Sequence, residues 1–137
     1  MTIYLLDTNA WVTHMRQPSA NLSAKILSTD PADIRLCSVV LGELLYGVYR
    51  SPPTHRSINL ALVVADLQRR FLSVPFDDRA ADEFGKIEAD LTAKGTPIGP
   101  NDFLIAAIAL ANGLTLVTHN TAEFSRVVGL TLDDWQV

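Results

Sequence analysis

Strand-length apolar segments alternate with helical segments along most of this 137-residue chain. Because strands separated by helices pair in parallel through right-handed crossovers, the alternation predicts an α/β fold. We expect a central, mostly parallel β-sheet of four or five strands flanked by helices, with segment 114–118 at its centre and 130–132 at an edge. The predicted strands are residues 3–6, 34–37, 73–75, 114–118 and 130–132.

The helical segments are identified by apolar residues that recur at steps of three and four positions. Asp77 is placed to cap one helix and Gly95 to end it, while segment 101–112 is apolar on every side and is expected to be buried. The length fits one domain, residues 1–137. Helices are predicted from near residue 10, at 21–28, 39–49 and 57–72, between residues 77 and 95, and at 101–112.

The composition is that of a folded chain without a membrane span. Hydrophobic residues make up 48% and charged residues 19%, which is enough to build a core. The longest apolar run, 103–111, is far shorter than the roughly 20 residues that cross a bilayer. No basic region precedes the first apolar run and Asp7 interrupts it, so no signal peptide is expected. A single cysteine, Cys37, excludes a disulfide framework and suits the cytoplasm.

The charge balance limits how the chain can bind nucleic acid. Eleven Lys and Arg against fifteen Asp and Glu give a net charge of −4, the wrong sign for gripping a polyanion by bulk electrostatics. A polyanionic partner would therefore need bound cations.

Polar residues follow the predicted strands where ligands gather in open parallel sheets, at the carboxyl ends. Asp7-Thr8-Asn9 follows the first strand, Ser38 the second, and Thr118-His119-Asn120 marks the end of segment 114–118. Three more acids lie in apolar or small-residue surroundings: Glu43, Asp102 and Glu123.

Each acid also has a structural interpretation. Asp102 can be a first-turn carboxylate stabilised by the helix dipole, Asp7 a strand-end cap, and Glu123 a solvated acid. Glu43 is harder to explain in this way, because an ionised carboxylate in an apolar helix costs several kcal/mol unless it is paired. No Lys or Arg lies within one helical turn of it.

The four acids together favour a metal site. Carboxylates that converge at one end of a sheet repel one another by about 1 kcal/mol per pair at 4 Å, even in the dielectric of water. An all-oxygen ligand set favours Mg²⁺ or Mn²⁺ over Zn²⁺. Such ions attract phosphate oxygens and activate water, which indicates metal-assisted phosphodiester hydrolysis.

Four ordered blocks of sequence carry a family resemblance. They are Asp7-Thr8-Asn9 and segments 38–44, 97–107 and 116–124. They resemble the signature blocks of PIN-domain ribonucleases, specifically the VapC toxins of bacterial toxin–antitoxin pairs. An isolated Asp-Thr-Asn is a weak signal, whereas four ordered blocks spanning nearly the whole chain are a strong one.

The resemblance implies a PIN-like fold and a toxin that cleaves RNA endonucleolytically, leaving a 5′-phosphate and a 3′-hydroxyl. Glu123 stands where family members often have Asp, so its longer side chain is expected to ligate either directly or through water. The acids that this implies to be catalytic and metal-binding are Asp7, Glu43, Asp102 and Glu123. The residues implied to shape the site are Asn9, Ser38, Thr118 and Asn120.

Several basic residues are candidate RNA contacts. Arg50, His55 and Arg56 surround the Pro52-Pro53 turn, which is most simply a solvated loop but could meet phosphates. His119 stands where Arg or Asn is frequent in the family and either meets RNA or caps its turn. Contacts of this kind would position RNA without reading its sequence.

Two rival functions remain open. A haloacid-dehalogenase-type phosphatase also begins with a strand that ends in Asp, but its motif resembles Asp-x-Asp and here the second position is Asn9. A catalytically idle PIN-like module could use an acidic pocket to capture a basic peptide. The intact set of four acids argues against this alternative.

The predicted helices 39–49 and 57–72 carry more apolar residues than one core can cover. Some of these residues should therefore form an exposed groove. The resemblance implies that a VapB-like antitoxin helix enters this groove while a basic side chain reaches the acidic pocket. A homodimer could use the same surface. The residues concerned are Leu41, Leu45, Tyr46, Tyr49, Leu62 and Val63.

Overall fold

A computed structural model describes residues 1–16 and 20–137. These residues contain a five-stranded sheet in the order β3-β2-β1-β4-β5, and every neighbouring pair of strands is parallel. The α/β prediction is therefore confirmed. The strands are β1 (Tyr4–Leu6), β2 (Ile34–Cys37), β3 (Leu72–Val74), β4 (Thr115–Val117) and β5 (Leu132–Asp133).

Helices connect the strands and flank the sheet. Within the described ranges none is long and apolar enough to cross a membrane. A short 3₁₀ turn, Pro31–Asp33, precedes β2. The α-helices are α1 (Thr8–Arg16), α2 (Ala20–Ser28), α3 (Ser38–Tyr49), α4 (His55–Arg70), α5 (Asp78–Ala93), α6 (Pro100–Ala111) and α7 (Thr121–Phe124).

The predicted strand order was wrong at the centre. β1 is the middle strand because it pairs with both β2 and β4, and β4 lies one place outward. The predicted edge strand lies two residues later, at Leu132–Asp133, where the Thr118 amide donates to the Asp133 carbonyl at 2.9 Å. Helix α4 ends at Arg70 rather than residue 72 because Leu72 pairs with Arg35 in the sheet.

Helix α6 occupies the core, as its all-round apolar sequence predicts. Phe103 and residues 105–109 are buried, and the neighbouring α5 contributes Ile87 and Leu91 to the same core. The helix ends in a Schellman motif, in which the Leu114 amide donates to the Ala109 carbonyl at 2.9 Å. Gly113 adopts φ +63°, which glycine tolerates without a Cβ penalty. This turn sends the chain directly from α6 into β4.

Candidate active site

Asp7 lies at the carboxyl end of the central strand and is held by two hydrogen bonds. The Thr118 hydroxyl donates to its Oδ2 at 2.6 Å, and the Ala10 amide donates to its Oδ1 at 2.8 Å. β1 and β4 are neighbours in parallel, so Asp7 and Thr118 leave their strands side by side. Asp7 thus caps α1, as its structural interpretation has it, and also stands at the end of the central strand, where the site was expected.

Burial dominates the electrostatics of Asp7. Its side chain is almost entirely removed from solvent, which raises its pKa, and the hydrogen bonds from Thr118 and Ala10 oppose that rise. The negative charges of Glu43 and Asp134 raise the pKa further. These two carboxylates therefore lie within electrostatic range of Asp7.

Glu43 projects from α3 and finds its partner on α1. The Thr8 hydroxyl donates to Glu43 Oε1 at 2.7 Å, across 35 positions of sequence. This contact stabilises a half-buried carboxylate in an apolar helix. The sequence alone shows the cost of such a carboxylate but not its partner. Thr8 therefore positions an acid of the group.

Asp102 lies in the first turn of α6 and interacts with every other acid of the group. Burial raises its pKa to about 6, assisted by the charge of Glu123, by a hydrogen bond with Glu123, and by the charges of Asp7 and Glu43. The four acids therefore form one cluster of interacting negative charge. As their side chains stand, no three Asp, Glu, His or Cys residues within 1–16 and 20–137 are grouped closely enough to hold a metal ion.

Glu123 differs from the other acids because it lies in the short helix α7, which the sequence did not predict. The Gly99 amide donates to its Oε1 at 2.7 Å, and the Asn120 side chain donates to its Oε2 at 2.9 Å. These bonds lower the pKa of Glu123.

The residues implied to shape the site fall into different places. Thr118 links the acids to the turn after β4, because its hydroxyl also accepts from the Asn120 amide at 3.0 Å. Ser38, at the start of α3, accepts a hydrogen bond from the Phe76 amide at 3.1 Å and so holds the segment that follows β3. Asn9 is exposed in the first turn of α1.

A groove leads away from the acids between α1, α3 and α4. Its inner part, about 600 Å³, is lined by Thr8 and Glu43 and extends to Arg16 and Arg50. Its outer part, about 520 Å³, shares Arg16 with the inner part and reaches Arg56. Among the described residues, the charged groups lining the groove beyond Glu43 are these three arginines.

Arg16 is a groove residue that sequence reasoning missed. The signal was present, because four residues that line the groove recur along one face of α1 at helical spacing: Thr8, Val12, Met15 and Arg16. His55 and Arg56 begin α4 rather than lying in a loop, and both are exposed. His119 contacts Asp134, with 2.9 Å between Nδ1 and Oδ2.

The apolar residues of α3 and α4 are divided between core and surface. Leu41 and Leu45 are partly buried and pack against the core, so they do not belong to the predicted exposed set. The residues that are exposed are Tyr46 (64%), Tyr49 (80%), Leu62 (65%) and Val63 (39%).

Comparison with known proteins identifies relatives along nearly the whole chain. The PIN domain family matches residues 4–130. The tRNA(fMet)-specific endonuclease VapC of Salmonella typhimurium is 36% identical over 98% of this chain and 99% of that protein. Ribonuclease VapC2 of Haemophilus influenzae is 32% identical, again over 98% of this chain and 99% of the relative.

Solved structures agree. DNA-bound VapBC from Salmonella typhimurium superposes with a TM-score of 0.88 at 31% identity, covering 98% of this chain and 99% of that chain. VapBC2 of Rickettsia felis, bound to a promoter DNA fragment, gives a TM-score of 0.86 at 31% identity with the same coverage. The family match and these relatives show that the chain belongs to the PIN-domain family and, within it, to the VapC group.

Proposed function

We propose that this chain is a metal-dependent endoribonuclease and the toxin of a VapBC-type toxin–antitoxin pair. The observation that carries the proposal is the cluster of four carboxylates at the carboxyl end of the sheet, where mutual repulsion helps to raise the pKa of Asp102 to about 6. The relatives that the chain resembles are named as ribonucleases and endonucleases.

The donor set fits Mg²⁺ or Mn²⁺. Asp7, Glu43 and Asp102 offer carboxylate oxygens, the ligands that these hard cations prefer, and a cation would relieve the repulsion that raises the pKa of Asp102. When bound, the ion supplies a Lewis acid that lowers the pKa of water and neutralises charge on the phosphate. The chain's own residues orient the ligands: Thr118 and Ala10 hold Asp7, and Thr8 holds Glu43.

A chain with a net charge of −4 needs a locally positive surface to bind RNA. The groove supplies it, because Arg16, Arg50 and Arg56 line a path that begins at Glu43. Their contacts would hold phosphates in register with the acids without reading base sequence. His55 and His119 remain further candidate contacts on exposed surfaces.

A VapB-like antitoxin is the proposed protein partner. The solved structures that the chain resembles are those of VapBC2 and VapBC bound to DNA. The exposed side chains of Tyr46, Tyr49 and Leu62 offer apolar contacts to an amphipathic helix. A basic antitoxin side chain would enter the acidic pocket by charge complementarity. We also propose that the chain forms a homodimer. The cytoplasm is the proposed location, because the buried, single thiol of Cys37 suits a reducing compartment.

The decisive experiment is RNA cleavage with purified protein. We expect cleavage with Mg²⁺ or Mn²⁺, loss of cleavage in EDTA, and products with a 5′-phosphate and a 3′-hydroxyl. Asp7→Asn should abolish cleavage while the protein stays folded, and Glu88→Gln on exposed α5 surface is the matched control. Phosphate release from small monoesters would favour a phosphatase instead. Binding of a basic peptide without any RNA cleavage would favour the idle module.

The partner is tested by co-expressing this chain with the product of its neighbouring gene. We expect a tight complex with suppressed cleavage, weakened by Leu62→Asp. Leu62 is the better probe than Leu45 because its side chain is exposed and charge can be introduced there without disturbing the core. Leu27→Asp, on an exposed position of α2, is the control. An unchanged complex in the folded Leu62→Asp protein would place the antitoxin elsewhere. Light scattering of the free protein tests the homodimer.

A further inference from the structure

Glu123 links the loop before α6 to the start of α7, two places that are distant in sequence. Its Oε1 accepts from the backbone amide of Gly99, in the segment before α6, and its Oε2 accepts from Asn120 at the start of α7. A second bond runs in the opposite direction, because Arg126 Nη1 donates to the Pro97 carbonyl at 3.1 Å. The 97–99 segment is therefore tied to the α7 region at two points.

Gly99 leaves room for this arrangement. A Cβ placed there would lie 3.0 Å from Asp102 Oδ2 and 3.7 Å from Glu123 Oε1. Its backbone angles, φ −57° and ψ 147°, are open to any amino acid, so the need for glycine is one of space. Two carboxylates thus pack against the bare face of one glycine, and the position of Asp102 depends on where the 97–99 segment lies.

We infer that Glu123 is a positioning residue that fastens the 97–99 segment to α7 and thereby fixes Asp102, rather than a direct ligand of the metal. The inference rests on the proposed function in that it takes Asp102 to be a metal ligand. Both oxygens of Glu123 accept hydrogen bonds, as those of Asp7 also do. What marks Glu123 as a tether is that its bonds, together with that of Arg126 to Pro97, join the 97–99 segment to the α7 region.

The two roles predict opposite orders for two substitutions. Gln has the length of Glu and an oxygen that can accept from the Gly99 amide, while the exposed Asn120 amide can turn to accept from its NH₂ group. Asp keeps the charge but is shorter by one carbon–carbon bond, about 1.5 Å, and cannot make both bonds of the tether. A positioning residue therefore tolerates Glu123→Gln better than Glu123→Asp. A metal ligand tolerates the reverse.

The tether is tested first without metal, by amide hydrogen exchange followed by NMR in EDTA. The Gly99 amide should be protected in the wild type and in Glu123→Gln, and should exchange about fivefold faster or more in Glu123→Asp. An unprotected Gly99 amide in the wild type, or equal protection in Glu123→Asp, overturns the inference. Because no metal is present, this result is independent of whether the proposed nuclease activity is found.

Metal affinity is tested next, with Mn²⁺ titrated calorimetrically. We expect a Kd within about threefold of wild type for Glu123→Gln, and a Kd about tenfold weaker for Glu123→Asp and for Gly99→Ala, as for loss of a residue that orients a ligand. Gly85→Ala is the matched control, since nothing lies within 4 Å of a Cβ there.

The failures are distinguishable. If Glu123→Gln loses Mn²⁺ binding as fully as Asp7→Asn does, Glu123 is a ligand and the inference is wrong while the proposed metal site stands. If the wild type binds no Mn²⁺, the proposed metal site fails, and the exchange experiment alone decides whether Glu123 is a tether.

Discussion

Replacing Asp102 by Asn should stabilise the metal-free protein, because Asp102 is ionised at neutral pH in a place that disfavours its charge. Burial and the neighbouring acids raise its pKa from 3.8 to about 6. The unfolded chain therefore gives up this proton more readily than the folded one. The contribution of Asp102 to stability is present below pH 3.8 and is lost as pH rises through 6.

The magnitude follows from the shift. About two pKa units correspond to about 3 kcal/mol at 1.36 kcal/mol per unit, and solvent screening at this partly exposed side chain reduces the effect to about 1–2 kcal/mol. At pH 4.5 the folded form keeps its proton, and the pH is less than one unit above 3.8, the pKa at which the unfolded form loses it. The penalty there should be about a third of its value at pH 7.5.

Urea unfolding in EDTA measures this effect. We expect Asp102→Asn to raise the free energy of unfolding by about 1–2 kcal/mol at pH 7.5 and by much less at pH 4.5. Glu88→Gln, on the exposed surface of α5, should change it by less than about 0.5 kcal/mol at either pH. An Asp102→Asn protein that is less stable than wild type at pH 7.5 would refute the electrostatic description of the cluster.

Three further predictions follow from the same structure. Mn²⁺ at ten times its Kd should raise the free energy of unfolding by about 1.4 kcal/mol, measured by urea titration, and this gain should vanish in Asp7→Asn. Arg50→Ala and Arg56→Ala should each raise KM for RNA with little change in kcat. Each should also make the plot of log binding constant for RNA against log salt concentration shallower by about 0.7. Arg69→Ala, at the far end of α4, should have neither effect. The Cys37 thiol, whose pKa burial raises to about 11, should react with a disulfide reagent only after urea unfolds the protein, as a thiol-release assay would record.

The sequence could predict which end of the sheet carries the site. Asp7 directly follows β1, and the carboxyl ends of parallel strands lie at one edge, so the pattern places Asp7 and Thr118 at the same edge of the sheet. Asp102 could be predicted for a similar reason, since it opens a helix that the apolar sequence assigns to the core. These inferences need only periodicity and chain direction.

Other features depend on contacts between distant residues. Helix α7 has four residues, too few for any helical period to be visible, and its Glu123 meets the chain 24 positions earlier at Gly99. The contact of Thr8 with Glu43 likewise leaves no trace in either segment. The central place of β1 was missed because the apolar run at β4 is no guide to strand order, which is set by pairing.

The direct passage from α6 into β4 has a consequence for how this protein can evolve. The segment begins at Asp102 and returns to the same end of the sheet at Thr118, so its two ends are held while its middle is a buried helix and a strand. One residue added to or removed from α6 would turn Asp102 by about 100° around the helix axis relative to the buried residues that follow it in the helix. A change of length between Asp102 and Thr118 would therefore separate the acids, whereas a substitution that keeps the volume of a buried side chain would leave their spacing intact. Insertions would be tolerated instead in exposed turns such as the one between α3 and α4.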